Sequence, residues 1–133
     1  MKLEVYLYFK GNCREAMEFY RNVFGGDLNL TTFGESGDDY RKYKAEKDWI
    51  MHSSLTEGDI NLMASDGVAS SEKASKVELS LVGTDEAKMK QIFEKLSEGG
   101  QIHMPLEKQM WGDIYGRWTD QLGINWSMNI GKA

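Results

Sequence analysis

The chain has 133 residues, 41% of them hydrophobic and 28% charged, and a formal net charge of −5. That length makes one domain with a sizeable core, and the acidic balance argues against nucleic acid, whose phosphates need a basic face. No stretch approaches the roughly 18 apolar residues of a membrane span or resembles a signal peptide, and one cysteine, Cys13, allows no intrachain disulfide; the expectation is a cytoplasmic protein with no membrane partner.

In chain order, Leu3 to Phe9 is aromatic and β-branched enough to predict a strand. Asn12 follows as a candidate helix N-cap, with Glu15 placed to complete a capping box. Cys13, Ala16, Met17, Tyr20, Val23 and Phe24 then recur at threes and fours, predicting a helix that Gly25-Gly26 stops. On that stripe Cys13 reads as a buried, inert thiol. Asp27 to Phe33 predicts a second strand. Tyr40 to Ala45 and Trp49 to Leu55 read as extended parts of one irregular hairpin region without a fixed register. Glu57-Gly58-Asp59 is a turn before a strand at Ile60 to Ala64, and Asp66 to Ser75 is a polar stretch suited to a linker, a mobile lid, or both.

The same order returns. Val77 to Val82 predicts a strand, and Asp85 caps a helix with Met89, Ile92, Phe93 and Leu96 on its stripe, ended by Gly99-Gly100. Ile102 to Met110, Tyr115 to Thr119 and Ile124 to Ile130 predict three more strands, with a turn at Asp120 to Gly123. A β-α-β-β-β unit written twice gives an α+β fold of two βαβββ modules: mixed sheets curled around a cleft, helices outside. Module one spans about residues 1–66, a linker about 67–75 and module two about 76–133, together one domain.

Particular residues carry the resemblance. Tyr6-Leu7-Tyr8-Phe9-Lys10-Gly11-Asn12-Cys13-Arg14-Glu15-Ala16 with Phe19-Tyr20, and the ending from Trp111-Gly112 through Asp120 to Trp126 and Asn129, resemble the vicinal-oxygen-chelate superfamily. Its members include glyoxalases, bleomycin-resistance proteins and extradiol dioxygenases. Within it the chain is similar to the PhnB-like proteins. The resemblance implies paired βαβββ modules, a small-molecule ligand, frequent homodimers and, in metal-dependent members, one divalent ion held by histidine and glutamate.

Those ligand positions fall at Val5 (or Glu4 after a one-residue slip), Glu78, and Ser127 or Met63. One plausible carboxylate among valine, methionine and serine is short of the three protein ligands usual for such a site. A protein without a metal cofactor is therefore expected, a bound divalent ion being the alternative. No glycine-rich nucleotide loop supports S-adenosylmethionine binding.

The expected function is binding of an organic molecule in a cleft lined by aromatic and methionine side chains, with Trp111, Tyr115, Met63, Glu78 and Trp126 as ligand-binding candidates. A lyase, isomerase or dioxygenase is the alternative, with Glu78 or His52 as acid/base residue, and a dimerisation module with a vestigial cleft is the second. Each candidate also has a bland explanation: a solvated or ion-paired Glu78, a cross-strand hydrogen bond for His52 on a face with Ile50 and Ser54, and core packing for Trp126. His103 reads as a surface residue, Asp120 as turn chemistry and Asn129 as a pairing amide.

Overall fold

The computed structural model describes all residues except 2–3, 38–40, 42–44, 68–76 and 133. Two compact units, Met1–Glu72 and Lys73–Ala133, divide the chain. Each holds a four-stranded mixed sheet and a long helix, as an α+β chain of two βαβββ modules requires.

In the first unit, β1 (Val5–Phe9) leads to α1 (Cys13–Phe24), β2 (Asp27–Thr32), a one-turn helix α2 (Phe33–Ser36), β3 (Ile50–Glu57) and β4 (Ile60–Asp66). Strand order is β1-β4-β3-β2, with β1 parallel to β4 and the other pairs antiparallel. Successive strand residues point to opposite faces. Leu7, Phe9, Leu55, Leu62 and Ala64 are buried on the face under α1, whose stripe Cys13, Ala16, Met17, Tyr20 and Val23 covers them. Tyr6, Tyr8, His52, Ser54 and Met63 take the other face.

Several local expectations change. Phe33 leaves the second strand to open α2, where the Thr32 side chain accepts from Glu35 N at 3.1 Å. Residues of the expected Tyr40–Ala45 strand at 40 and 42–44, and most of the 67–75 linker, lie outside the described residues. Asn12 does not cap α1 with its side chain. That work falls to Asp66 at the end of β4, whose Oδ1 accepts from Gly11 N at 2.7 Å and Cys13 N at 2.9 Å. Its Oδ2 accepts from Ile50 N at 2.9 Å. A carboxylate at a helix N-terminus is favoured by the dipole and by the unpaired amides there. Being 3% exposed, Asp66 must meet such donors, and it ties three chain segments together.

The second unit repeats the plan with β5 (Leu79–Gly83), α3 (Glu86–Ser97), β6 (Gln101–Lys108), β7 (Ile114–Thr119) and β8 (Asn125–Ile130), in the order β5-β8-β7-β6. Asp85 caps α3 as expected, accepting from Lys88 N at 3.2 Å. Trp118, Trp126, Met128 and Ile130 are buried on the α3 side. Phe93 of α3 meets Trp118 edge-on at 5.0 Å, and Trp118 stacks on Trp126 at 6.5 Å. The tight turn before β8 is built on Asp120, which accepts from Leu122 N, Ile124 N and the Trp126 indole Nε1.

The duplicated glycine pairs have one physical cause. A Cβ on Gly26 would overlap the carbonyl of Thr56 in β3, and one on Gly100 would overlap that of Thr119 in β7. Each second glycine lets the chain leave its helix pressed against a strand backbone.

Cys13 is fully buried with its sulfur 3.6 Å from Ser53 Oγ. Burial pushes its thiol up to about 11; the Ser53 hydrogen bond opposes this and the Asp66 charge adds to it. The thiol stays protonated at neutral pH and is no nucleophile there.

Two predictions follow from this packing. Asp66→Ala should cost about 3 kcal/mol or more in urea unfolding, because it orphans buried amides; Asp66→Asn should cost less. A loss under about 1 kcal/mol would remove Asp66 from its central role. An acid whose folded pKa is raised stabilises the fold fully below its unfolded pKa near 9 and loses that contribution as pH rises through about 11. Wild type should therefore lose stability between those values faster than Cys13→Ala, and parallel pH profiles would contradict the assignment.

Candidate functional site

With one face of each sheet under a helix, chemistry is left to the other. On the first sheet, Tyr6 pairs with Met63 and Tyr8 with Ser65, while Thr31 of β2 pairs with His52. Tyr6 Oη lies 3.0 Å from His52 Nδ1, reaching from β1 across β4 to β3. The rings gather accordingly: Tyr6 to Tyr8 at 5.1 Å and Tyr6 to His52 at 5.8 Å. Tyr6 and Tyr8 remain 36% and 48% exposed, so the platform is accessible. Ile50 does not share this face with His52. The β2–β3 register shifts between Thr31 and Thr32, which pair with His52 and Ile50, and Ile50 is buried.

On the second sheet, Tyr115 pairs with Asn129, Arg117 with Ser127, and Ser80 with Ser127 on the far side. Arg117 Nε donates to Glu78 Oε2 at 2.9 Å, which places Glu78 on this face just before β5. Ser127 Oγ donates to Ser80 Oγ at 3.0 Å. Trp111, in the β6–β7 turn, is 62% exposed and meets Tyr115 at a ring separation of 6.0 Å. Asn129 pairs in the ladder with Tyr115 and Val82, and its side chain also donates to Asp113 Oδ2 at 3.0 Å. His103 is exposed on β6, with Nε2 2.8 Å from Thr119 Oγ1.

The ligand-binding candidates thus separate. Trp111 and Tyr115 come together, Glu78 stands with Arg117, and Met63 lies on the first sheet beside Tyr6. Trp126 departs from expectation: it is 2% exposed, turned under α3, and its indole is held by Asp120. Its size and apolar bulk are spent in the core. Sequence reasoning missed Tyr6, Tyr8 and Arg117 as site residues. Spacing by two in β1 already put both tyrosines on one face, and Arg117 is the single charged residue of Ile114–Thr119.

Register also fixes which residues occupy the ligand positions of the family pattern. Val5 pairs with Leu62 on the α1 side, so the position facing away is Tyr6 opposite Met63, matched in the second unit by Ser80 opposite Ser127. Counted from the strands, the counterpart of Glu78 is Glu4, the one-residue slip. Within each unit these positions carry a phenol and a thioether, or two mutually bonded hydroxyls, with Glu4 and Glu78 as the neighbouring carboxylates. Neither set supplies the three imidazole and carboxylate ligands usual for a divalent ion. Among the described residues, no three His, Cys, Asp or Glu side chains gather closely enough to hold a metal.

Known proteins share this arrangement of elements. The sequence model described as the Glyoxalase/Bleomycin resistance protein/Dioxygenase superfamily matches residues 2–128. Protein YjdN of Escherichia coli (strain K12) is 29% identical over 143 aligned positions, covering 99% of this chain and 97% of YjdN. Protein PA1353 from Pseudomonas aeruginosa is 35% identical in a superposition covering 99% of this chain and 100% of that one, with a TM-score of 0.81. The PhnB protein from Bacillus cereus, at 22% identity, shares the fold over 98% of this chain and 100% of its own, with a TM-score of 0.78. By sequence and by fold, then, this chain belongs to the glyoxalase/bleomycin resistance protein/dioxygenase superfamily.

Proposed function

We propose that this chain is a cytoplasmic, PhnB-like small-molecule-binding protein that takes an organic ligand without a metal ion. The carrying observation is the exposed Tyr6–Tyr8–His52 cluster, with Met63 in the same sheet row as Tyr6. Aromatic rings on a rigid sheet bind flat apolar surface at low entropic cost, and a thioether adapts to its shape. His52 Nδ1 is engaged by Tyr6, which leaves Nε2 to hydrogen-bond a polar ligand group. Trp111 and Tyr115, with Glu78 acting through Arg117, are proposed separately as ligand contacts on the second sheet.

The same hydrogen bond favours a second reading. Where Nδ1 donates to Tyr6, Nε2 is an acceptor and His52 can act as a general base in an isomerase or lyase reaction. The tautomer decides between a binding and a proton-accepting nitrogen. Glu78 is a weaker candidate base, because Arg117 already engages it. A homodimer is also proposed, from the outer position of β6 and the exposure of Ile102, Met104 and Trp111. Sedimentation equilibrium should give twice the chain mass; a monomer at all concentrations would contradict it.

A thermal-shift screen with planar aromatic compounds should find stabilising ligands in the presence of EDTA. Tyr6→Ala should reduce their affinity by about tenfold, as expected for loss of an aromatic contact of 1–1.5 kcal/mol, and Trp111→Ala should also weaken binding. Stabilisation that requires added Ni²⁺ or Mn²⁺, or stoichiometric tight metal, would overturn the metal-free reading.

A further inference from the structure

We propose that Arg117 is an oxyanion-binding residue and that a ligand on the open face of the second sheet carries a carboxylate or a similarly shaped anionic group. This rests on the small-molecule reading above and names the chemical class of the ligand.

Arg117 lies mid-strand in β7, an inner strand flanked by β8 and β6. Its guanidinium offers five N–H donors in a fixed planar fork. The bond to Glu78 uses Nε. Among the described residues no other hydrogen bond or ion pair engages it. The two terminal amino groups therefore stay open, and their N–H pair matches the two oxygens of a carboxylate or a phosphoryl edge. With 46% of the side chain exposed, the fork is reachable.

Exposed ion pairs add little to stability, so the main physical effect of Glu78 here is orientation. It holds a long side chain by its inner nitrogen and turns the outer edge away. Directly across β8 stands Ser127, whose hydroxyl donates to Ser80. That bond leaves the hydrogen of the exposed Ser80 hydroxyl as one more donor on the same face. A chain of net charge −5 supplies no general attraction for anions, so binding at this point depends on local donors.

Glu78 also repels the anion that it helps Arg117 to receive, which gives the two partners opposite mutational signs. Arg117→Lys keeps the charge but loses the fork. Glu78→Gln keeps an acceptor for Nε and removes the repulsion.

The test is an NMR titration of the full chain, read at the Arg117 Nε–H signal, with benzoate, its neutral isostere benzamide, acetate and inorganic phosphate. Benzoate should shift that signal saturably and benzamide should not. Arg117→Lys, followed through neighbouring amides in a spectrum of unchanged dispersion, should weaken benzoate about tenfold or more. Glu78→Gln should tighten it about threefold. A larger response to acetate than to phosphate assigns the group as carboxylate, and the reverse assigns it as phosphoryl. Equal response to benzoate and benzamide, or unchanged benzoate affinity in Arg117→Lys, would overturn the proposal. If only the ring contacts of Trp111 and Tyr115 on the same sheet failed, acetate would still move Arg117 and benzoate would gain nothing over it. If only the oxyanion site failed, aromatic ligands would stabilise the protein with the Arg117 signal unmoved.

Discussion

A single helix can cover one face of a four-stranded sheet, and that constraint shapes everything else in this protein. In each unit the buried stripe of the helix, around Met17 and Tyr20 in α1 and Met89 and Leu96 in α3, consumes the apolar residues of every second strand position. The alternate positions are then released from core packing and can carry rings, hydroxyls and charges. Function is located by exclusion: what does not lie under the helix is available for chemistry.

The first unit depends on Asp66 to make that division precise in space. Its three backbone donors join the start of α1, the start of β3 and the end of β4, all at a buried carboxylate. With those segments fixed, the parallel β1–β4 register is fixed, and so is the face on which Tyr6 emerges. A one-residue slip would put Val5 there and turn Tyr6 into the core. Asp120 does related work in the second unit, closing the turn before β8 and holding the Trp126 indole.

Periodicity and turn chemistry made the architecture readable from residues alone. The helix stripes, the Asp85 cap and the paired glycines all correspond to local physics that acts within a few residues. Asp66 and Asn12 show where such reasoning stops. Asn12 had the right side chain in the right place, yet a buried carboxylate over fifty positions away supplies the bonds instead. The candidate site was less legible for the same reason. Glu78 gains its meaning from Arg117 and Tyr6 from His52, pairings set by strand register that no local pattern encodes. Trp126 was misplaced because size and aromaticity suit a core as well as a ligand surface.

The central claim is that a ligand rests on the sheet face turned away from α1. The most direct measurement is the set of nuclear Overhauser contacts from a bound planar aromatic compound to protein ring protons. Contacts to Tyr6, Tyr8 and His52, with none to Phe93 or Trp118, are the predicted result. Contacts confined to helix surfaces, or to the buried rings beneath α3, would contradict it.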